Sequence, residues 1–172
     1  MTLGRFLKYF NLAVAGALGA LAVAAYWFAW RPLPETNGQI AAPVAARGVV
    51  SRDAVGVPHI LAASQPDALF LQGYATAQDR LFQMDLLRRV AAGELAEVAG
   101  RAALESDRES RRLRLPRIAA EYARQLPPAE RAALAAYARG VNFFLETHRG
   151  RLPLDFTLMR YDPRPWRSEE HT

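Results

Sequence analysis

Apolar residues recur at helical intervals through much of this chain, and the pattern predicts a mostly α-helical protein. The most regular stretch runs from Ser64 to Gly93. Ser64 is a favourable N-cap, Asp67 three residues later makes the arrangement close to a capping box, and Gly93 is a typical C-terminal stop. Gly73 costs this helix about 1 kcal/mol relative to alanine, so we expect another element to pack closely there. The predicted apolar face contains Leu69, Phe70, Gly73, Tyr74, Ala77, Leu81, Met84, Leu87 and Val90.

Two short runs rich in β-branched residues precede this helix and predict one β-hairpin. They cover residues 48–52 and 57–62 and flank a turn with Asp53 at its start and Gly56 at its end. Pro58 has no N–H, so we expect it at an edge or at the first position of the second strand. Downstream the pattern predicts helices over Leu95–Val98, Leu104–Leu113, Arg117–Leu126 and Ala129–Thr147, then a loop with one short helical turn over Leu152–Trp166.

The N-terminus contains an uncharged apolar run over residues 12–30. As a helix it would be about 28 Å long, close to the thickness of a bilayer's hydrocarbon core. Arg5 and Lys8 precede it, which favours a cytoplasmic N-terminus, and its far end is aromatic, as is typical of a membrane interface. A cleavable signal peptide with an A-x-A site at residues 22–24 is the alternative. We favour an uncleaved signal anchor.

These features predict the organisation of the chain. Residues 1–11 would be cytoplasmic, residues 12–30 would be a transmembrane signal anchor, and residues 31–47, rich in proline and small residues, would be a flexible linker. The domain that begins at residue 48 would then lie on the periplasmic or extracellular side of a bacterial inner membrane.

The formal net charge of +5 allows a nucleic-acid or anionic-membrane partner. We predict no nucleic-acid binding, because no reader motif or aromatic stacking platform accompanies the charge. Many arginines also stand three or four positions from an acid, a spacing that predicts ion pairs on helix surfaces. These predicted pairs are Asp85 with Arg88 and Arg89, Asp107 with Arg111, and Glu109 with Arg112. The absence of cysteine excludes disulfides and thiolate metal sites within this chain.

The residues alone identify no catalytic, cofactor-binding or metal-binding position. None of the five serines lies in a G-x-S-x-G context, and the histidines lack zinc-site spacing. His59 is interpreted as a hydrogen-bonded structural imidazole. A polar group in the middle of the long helix predicts a structural network beneath a partner segment, with a network lining a cleft as the alternative. It comprises Gln78, Asp79, Arg80 and Gln83.

One ordered set of motifs nevertheless resembles a known family. From about residue 49 to residue 166 the chain is similar to the first part of the α-chain of penicillin acylases. The motifs that carry the resemblance are Arg52-Asp53, Gly56, Pro58-His59-Ile60, Gly73-Tyr74, Gln78-Asp79-Arg80, Gln83-Met84, Arg88-Arg89, Gly93, Leu95, Ala96-Glu97, Gly100, Asp107, Arg111, Ala136-Tyr137, Gly140-Val141-Asn142, Leu152-Pro153 and Pro165-Trp166.

The resemblance implies part of an α+β (αββα) N-terminal nucleophile hydrolase. In that family a precursor cuts itself into α- and β-chains, and a Ser, Thr or Cys that begins the β-chain hydrolyses linear amides. Residues 48–166 would then be a mostly helical support with one hairpin, inactive by themselves, with the β-chain of the same precursor as partner. Calcium is expected in the full-length enzyme, with no ligand identifiable in this chain. The substrate would be a small acylated amide such as a β-lactam side chain or an acyl-homoserine lactone.

Two further expectations concern the extent of the chain. Residues 167–172 follow the Pro-Trp motif and can be encoded by the beginning of a common sequencing-library adapter, so we interpret them as a non-native tail of a truncated gene. The alternative function is a membrane-tethered helical interaction module without catalysis.

Overall fold

The computed structural model describes residues 3–168, and the chain divides after residue 35 into two units. The first unit contains helix α1 (Leu3–Ala25), which continues as one π-helical turn over Tyr26–Trp30. The helix is exposed, has a mean hydropathy of 1.9, and is long and apolar enough to cross a membrane by length and composition. It includes the predicted span at residues 12–30 but begins further upstream. The membrane location of this helix stays a prediction.

The second unit is mostly helical with one two-stranded sheet, as predicted. Its elements in chain order are β1 (Val49–Arg52), β2 (Pro58–Leu61), α2 (Gln65–Ala92), α3 (Ala96–Ala99), a 3-10 turn (Gly100–Ala103), α4 (Leu104–Leu113), α5 (Leu115–Gln125), α6 (Pro128–Thr147) and α7 (Leu154–Met159). The predicted helices all form. Helix α5 begins before Pro116 rather than after it, because proline is tolerated in a first turn and the break comes from the left-handed backbone of Arg114 (φ 52°).

The sheet is the predicted hairpin, with Pro58 as the first residue of its second strand. β1 and β2 pair antiparallel, with Val49 opposite Leu61 and Arg52 opposite Pro58. The Asp53 carboxylate shapes the turn, because one oxygen accepts hydrogen bonds from the backbone N–H groups of Val55 (3.0 Å) and Val57 (2.9 Å). These bonds, Val57 first, outweigh the opposing effect of burial and lower the pKa of Asp53.

Helix α2 has the predicted ends. The hydroxyl of Ser64 accepts a hydrogen bond from the N–H of Asp67 (3.2 Å), and Gly93 ends the helix in the left-handed region (φ 67°). The second half of the predicted capping box does not form. The Asp67 carboxylate instead accepts a hydrogen bond from the N–H of Ala45 (3.0 Å), which chiefly lowers the pKa of Asp67. This bond attaches the end of the irregular stretch at residues 31–48 to the helix.

Helices α2 and α6 form the centre of the domain, and two glycines allow their close approach. A Cβ on Gly73 would overlap the carbonyl oxygen of Tyr137, and a Cβ on Gly140 would overlap that of Phe70. These pairs run in opposite directions along the two helices, so the helices are antiparallel. The prediction of a close neighbour at Gly73 is confirmed.

The buried core lies between α2 and α6 and continues under the C-terminal residues. Its members are Ala77, Leu81, Ala138, Val141, Phe144, Phe156 and Trp166. The predicted apolar face of α2 is wrong at its end, where Leu87 is 62% exposed and Val90 is 38% exposed. The backbone of Arg80 (φ −140°) interrupts the helix. The inward-facing positions before and after Arg80 therefore do not follow one continuous 3.6-residue repeat. Beyond this kink Leu81 is still part of the core, but the next buried positions are Asp85, Arg88 and Arg89.

The close helix approach predicts that Gly140→Ala destabilises the domain. The added methyl group meets a backbone carbonyl that cannot move aside, so we expect an overpacking loss at the upper end of the usual range, about 3 kcal/mol, which exceeds the helix-propensity gain of about 1 kcal/mol. Urea denaturation of the purified protein measures the change. Gly16→Ala is the matched control, because a Cβ there contacts nothing within 4 Å. Unchanged stability of Gly140→Ala would contradict the close approach.

Candidate functional site

The side chains with the most interactions in the second unit are charged, and they do not form a metal cluster. Among residues 3–168, no three His, Asp or Glu side chains lie close enough together to hold a metal ion. Ser51 lies in β1, and Ser64 caps α2. His59 is exposed and its Nε2 lies 3.4 Å from a carboxylate oxygen of Asp53, so its predicted structural bond is a long surface contact.

The first charged site joins the hairpin to α2. The guanidinium of Arg52 donates to both carboxylate oxygens of Asp79 (2.7 and 2.8 Å), to Oε1 of Gln78 (2.9 Å) and to the carbonyl oxygen of Gly56 (3.0 Å). This fork geometry suits arginine in a way that lysine cannot reproduce. Within the predicted polar network, Gln78 and Asp79 therefore bind a partner segment, which is the hairpin. Arg80 and Gln83 are exposed.

The second site, which we call the Asp85 node, is buried. The side chain of Asp85 is fully buried, and three neighbours donate to its carboxylate. Nε of Arg88 donates to Oδ1, while Nε of Arg89 and the hydroxyl of Tyr161 donate to Oδ2, each over 2.8 Å. Both arginine side chains are 5% exposed. The predicted pairing of Asp85 with Arg88 and Arg89 is therefore confirmed, while its predicted location on the helix surface is wrong.

The node holds the C-terminal segment, residues 160–167, against α2. Arg88 donates to the carbonyl oxygens of Arg164 (2.7 Å) and Pro165 (3.3 Å), and its guanidinium lies 4.8 Å from the ring centre of Trp166. A salt bridge between Arg164 and Glu94 adds a contact at the surface. The segment is thus bound through its backbone and through two aromatic side chains, Tyr161 and Trp166.

A second helix fixes the end of the same segment. Asn142 on α6 accepts a hydrogen bond from the backbone N–H of Trp166 (2.6 Å) and donates to its carbonyl oxygen (2.9 Å). The Trp166 side chain is 6% exposed. Because α2 and α6 both bind this residue, its position in the second unit is well defined.

The electrostatics of the Asp85 node follow from its burial. Burial alone would raise the pKa of Asp85, but the hydrogen bonds from Arg89 and Tyr161 and the charge of Arg88 outweigh it and lower the pKa. Burial and the hydrogen bond to the carboxylate raise the pKa of Tyr161. Arg89 is held in its charged form by Asp85, despite its own burial, and also pairs with Glu97 (2.9 Å). The node is a fixed set of charges at neutral pH.

A third carboxylate organises the turn after α2. Asp107 accepts hydrogen bonds from the N–H groups of Leu95 (2.8 Å) and Ala96 (2.7 Å), while Arg111 donates to the carbonyl oxygen of Gly93 (2.8 Å). The predicted pair of Asp107 with Arg111 is therefore wrong, since each side chain binds backbone instead. The predicted pair of Glu109 with Arg112 forms at the surface (3.0 Å).

The charged groups at these three sites hold segments of the chain in place. Each carboxylate is already bound by arginine or by backbone N–H groups, and none is placed as a base beside a nucleophile. The signal for the node was present in the Arg88-Arg89 and Pro165-Trp166 motifs. Helical spacing alone does not distinguish a buried pair from an exposed one, because both use the i,i+3 and i,i+4 positions.

Comparisons with known proteins match one family over most of the second unit. Residues 48–171 match the sequence model of the family described as penicillin amidase. An acyl-homoserine lactone acylase, QuiP, of Pseudomonas fluorescens (strain ATCC BAA-477) is 41% identical over 168 residues, which is 96% of this chain and 21% of that protein. The penicillin acylase 2 proenzyme of Pseudomonas sp. (strain SE83) is 39% identical over 135 residues, or 78% of this chain and 17% of that protein.

A solved structure has the same fold over the matched region. The thermostable penicillin G acylase from Alcaligenes faecalis superposes with a TM-score of 0.66 at 34% identity, covering 73% of this chain and 68% of that chain. This chain spans about a fifth of the length of the curated relatives it matches. It covers 68% of the crystallised chain. The crystallised chain is therefore several times shorter than the curated relatives.

We expect Asp85→Asn to destabilise the domain strongly, because it removes the buried charge that both guanidinium groups share and leaves the exposed Glu97 to pair with Arg89. The loss should be about 3–5 kcal/mol, typical of breaking a buried ion pair from one side. Urea denaturation measures it. Glu109→Gln is the control with the same i,i+3 spacing at the surface and should cost less than about 1 kcal/mol. Equal effects of the two substitutions would contradict a buried node.

Acidification should weaken the wild-type domain partly through Asp85. Its pKa is lowered on folding, so its contribution is complete above the unfolded value of about 3.9 and disappears as the pH falls through the lower folded value. The stability difference between wild type and Asp85→Asn should therefore shrink below about pH 4. Parallel urea curves at neutral and acidic pH test this. A difference that stays constant with pH would show that the carboxylate is not the stabilising species.

Proposed function

Because this chain belongs to the penicillin amidase family, we propose that it is the N-terminal part of an amidohydrolase that cleaves carbon–nitrogen bonds in linear amides. The observation that carries the proposal is the family match, in which a single family model covers residues 48–171. The named relatives are acylases. The hydrolase would be the longer precursor that includes this chain.

The division into two chains is the next part of the proposal. One relative is named a proenzyme, and the crystallised relative is a short chain of which this sequence covers 68%. We infer that the precursor is cleaved into an α-chain, to which this sequence belongs, and a β-chain that packs against it. The Asp85 node supports this role, since it holds residues 161–166 on α2, the part of this chain that a longer precursor would extend.

Catalysis in this proposal uses the new N-terminus of the β-chain. A terminal amine titrates close to neutral pH, so it can take the proton of the hydroxyl or thiol of its own Ser, Thr or Cys as that group attacks the amide carbonyl. Backbone or side-chain donors stabilise the oxyanion, the amine product leaves, and water releases the acyl group. Within the described part of this chain the charged groups hold the scaffold and take no part in these steps.

We propose that the full-length enzyme binds calcium and acts on a small acylated amide. No three acidic or histidine side chains among residues 3–168 converge as a calcium site requires, so the described residues do not form one by themselves. No step is assigned to the ion. For the substrate we propose a small acylated amide, with acyl-homoserine lactones ahead of penicillins, because relatives carrying that name match 96–98% of this chain.

We also propose that α1 is a signal anchor that holds the enzyme on the outer side of the inner membrane. Its length, its hydropathy and the absence of charge between residues 12 and 30 support this location. Arg5 and Lys8 support a cytoplasmic N-terminus.

Expression of the reading frame continued downstream of this sequence tests the enzyme proposal. We expect two chains on a denaturing gel, with Ser, Thr or Cys as the first residue of the second chain. The purified protein should hydrolyse an N-acyl-homoserine lactone and, more slowly, a chromogenic phenylacetyl amide. The 172-residue chain alone is the control and should be inactive. A single uncleaved, inactive polypeptide would instead support the membrane-tethered interaction module.

A further inference from the structure

The hairpin of β1 and β2 has two edges, and its hydrogen-bond pattern shows which backbone groups lie along them. The N–H of Asp53 donates to the carbonyl oxygen of Val57 (3.2 Å), so these two residues form a hydrogen-bonded pair of the antiparallel ladder. Bonded and non-bonded pairs alternate along such a ladder, and residues of the non-bonded pairs direct their N–H and C=O groups away from the partner strand. The non-bonded pairs are Arg52 with Pro58 and Val50 with Ile60.

The two edges differ in their capacity to pair with a further strand. The edge of β2 is blocked at one position, because Pro58 has no N–H, and β2 is also the strand that contacts α2 more closely. The edge of β1 keeps both backbone groups at Val50 and at Arg52. Among residues 3–168 these groups form no hydrogen bond.

Strand β1 also lacks the features that keep an edge strand unpaired. Edges that stay solvent-exposed often carry an outward charge or a proline. β1 has no proline, and its one charged side chain, Arg52, binds Gln78 and Asp79 on α2. The outer edge of β1 is therefore open to pairing where the edge of β2 is not.

We propose that β1 pairs, through the backbone of Val50 and Arg52, with a β-strand from the part of the precursor that follows this chain. This inference rests on the proposed function, in which the chain is the N-terminal part of a longer protein. The chain spans about a fifth of the length of the curated relatives it matches, so the longer protein has ample sequence to supply the strand.

The chemistry of the edge selects a strand as the occupant. Val50 and Arg52 are two positions apart, so their outward N–H and C=O groups recur about 7 Å apart along the edge. Another extended backbone presents donors and acceptors at this spacing, and main-chain hydrogen bonds then supply the affinity. A lipid headgroup supplies no such row of donors.

The size of the hairpin and its exposed face support the same occupant. A two-stranded hairpin is marginally stable by itself, and each strand here has four residues. Val49 and Leu61 lie opposite each other on the face turned away from α2 and are 47% and 73% exposed. We therefore expect the added strand to place a β-branched or aromatic side chain beside Val49, where it forms a cross-strand pair.

Hydrogen exchange of single backbone amides tests the proposal, in the 172-residue chain and in the longer precursor in the same detergent. Mass spectrometry with electron-transfer fragmentation resolves the individual amides. We expect the amides of Val50 and Arg52 to exchange about tenfold or more slowly in the longer protein, because each gains a hydrogen bond. The amide of Ile60, on the opposite edge, is the matched control and should not change. The amide of Ser51 faces β2 and should be protected in both proteins, which verifies that the hairpin is folded.

Slowing at only one of Val50 and Arg52, or at neither, would overturn the proposal, because a strand binds both. Slow exchange at both positions in the 172-residue chain, increasing with protein concentration, would also overturn it. That result would identify a second copy of the chain as the occupant.

A pair of proline substitutions gives a second test. Val50→Pro removes one outward N–H, and Ile60→Pro removes the outward N–H directly opposite. The shift in the urea midpoint of the longer protein is compared with the shift that the same substitution causes in the 172-residue chain. We expect an additional loss of stability in the longer protein for Val50→Pro and none for Ile60→Pro. An equal additional loss for both would overturn the assignment to β1.

Self-cleavage and amide hydrolysis are measured on the same preparation, which separates this inference from the proposed function. An active two-chain enzyme in which Val50 and Arg52 exchange freely would overturn the strand pairing alone. An uncleaved, inactive precursor in which both amides exchange slowly would overturn the enzyme proposal and support the pairing.

Discussion

The second unit depends on one buried carboxylate. Asp85 shares its single negative charge between the buried side chains of Arg88 and Arg89, and Glu97 supplies Arg89 with a second carboxylate. Through these arginines and Tyr161 it joins the end of α2 to α3, which carries Glu97, and to the C-terminal segment 76 positions further along the chain. Removing that charge would take from the buried Arg88 the carboxylate that it binds, at the place where Arg88 holds the C-terminal segment.

The packing of α2 on α6 supplies the surface on which this node is built. Two glycines bring the helices close enough for Asn142 and Arg88 to bind the same residue, Trp166. The hairpin is attached to the other half of α2 by Arg52 and Asp79. Helix α2 is therefore the common support of the charged contacts, with Asp79 before its kink at Arg80 and the Asp85 node after it.

Local chemistry in the sequence predicted the elements well, because caps, turns and close glycines act over a few residues. Ser64 and Gly93 gave the ends of α2, and Gly73 gave the close neighbour. The burial of Asp85 was not predictable in the same way. It depends on where residues 160–167 lie, and helical periodicity contains no information about a segment that returns from 76 positions away. The family resemblance marked Arg88-Arg89 and Trp166 without giving their geometry.

The way Arg88 holds the C-terminal segment has a consequence for how this protein tolerates change. The guanidinium binds carbonyl oxygens of Arg164 and Pro165, which every amino acid provides, while Tyr161 and Trp166 are bound through their side chains. At residues 164 and 165 Arg88 therefore reads backbone atoms, whereas Tyr161 and Trp166 must keep both their side chains and their separation along the chain. One inserted or deleted residue between them would shift Trp166 away from Asn142. The distance in sequence between the two aromatic residues is thus a constraint of its own, separate from the identity of the residues between them.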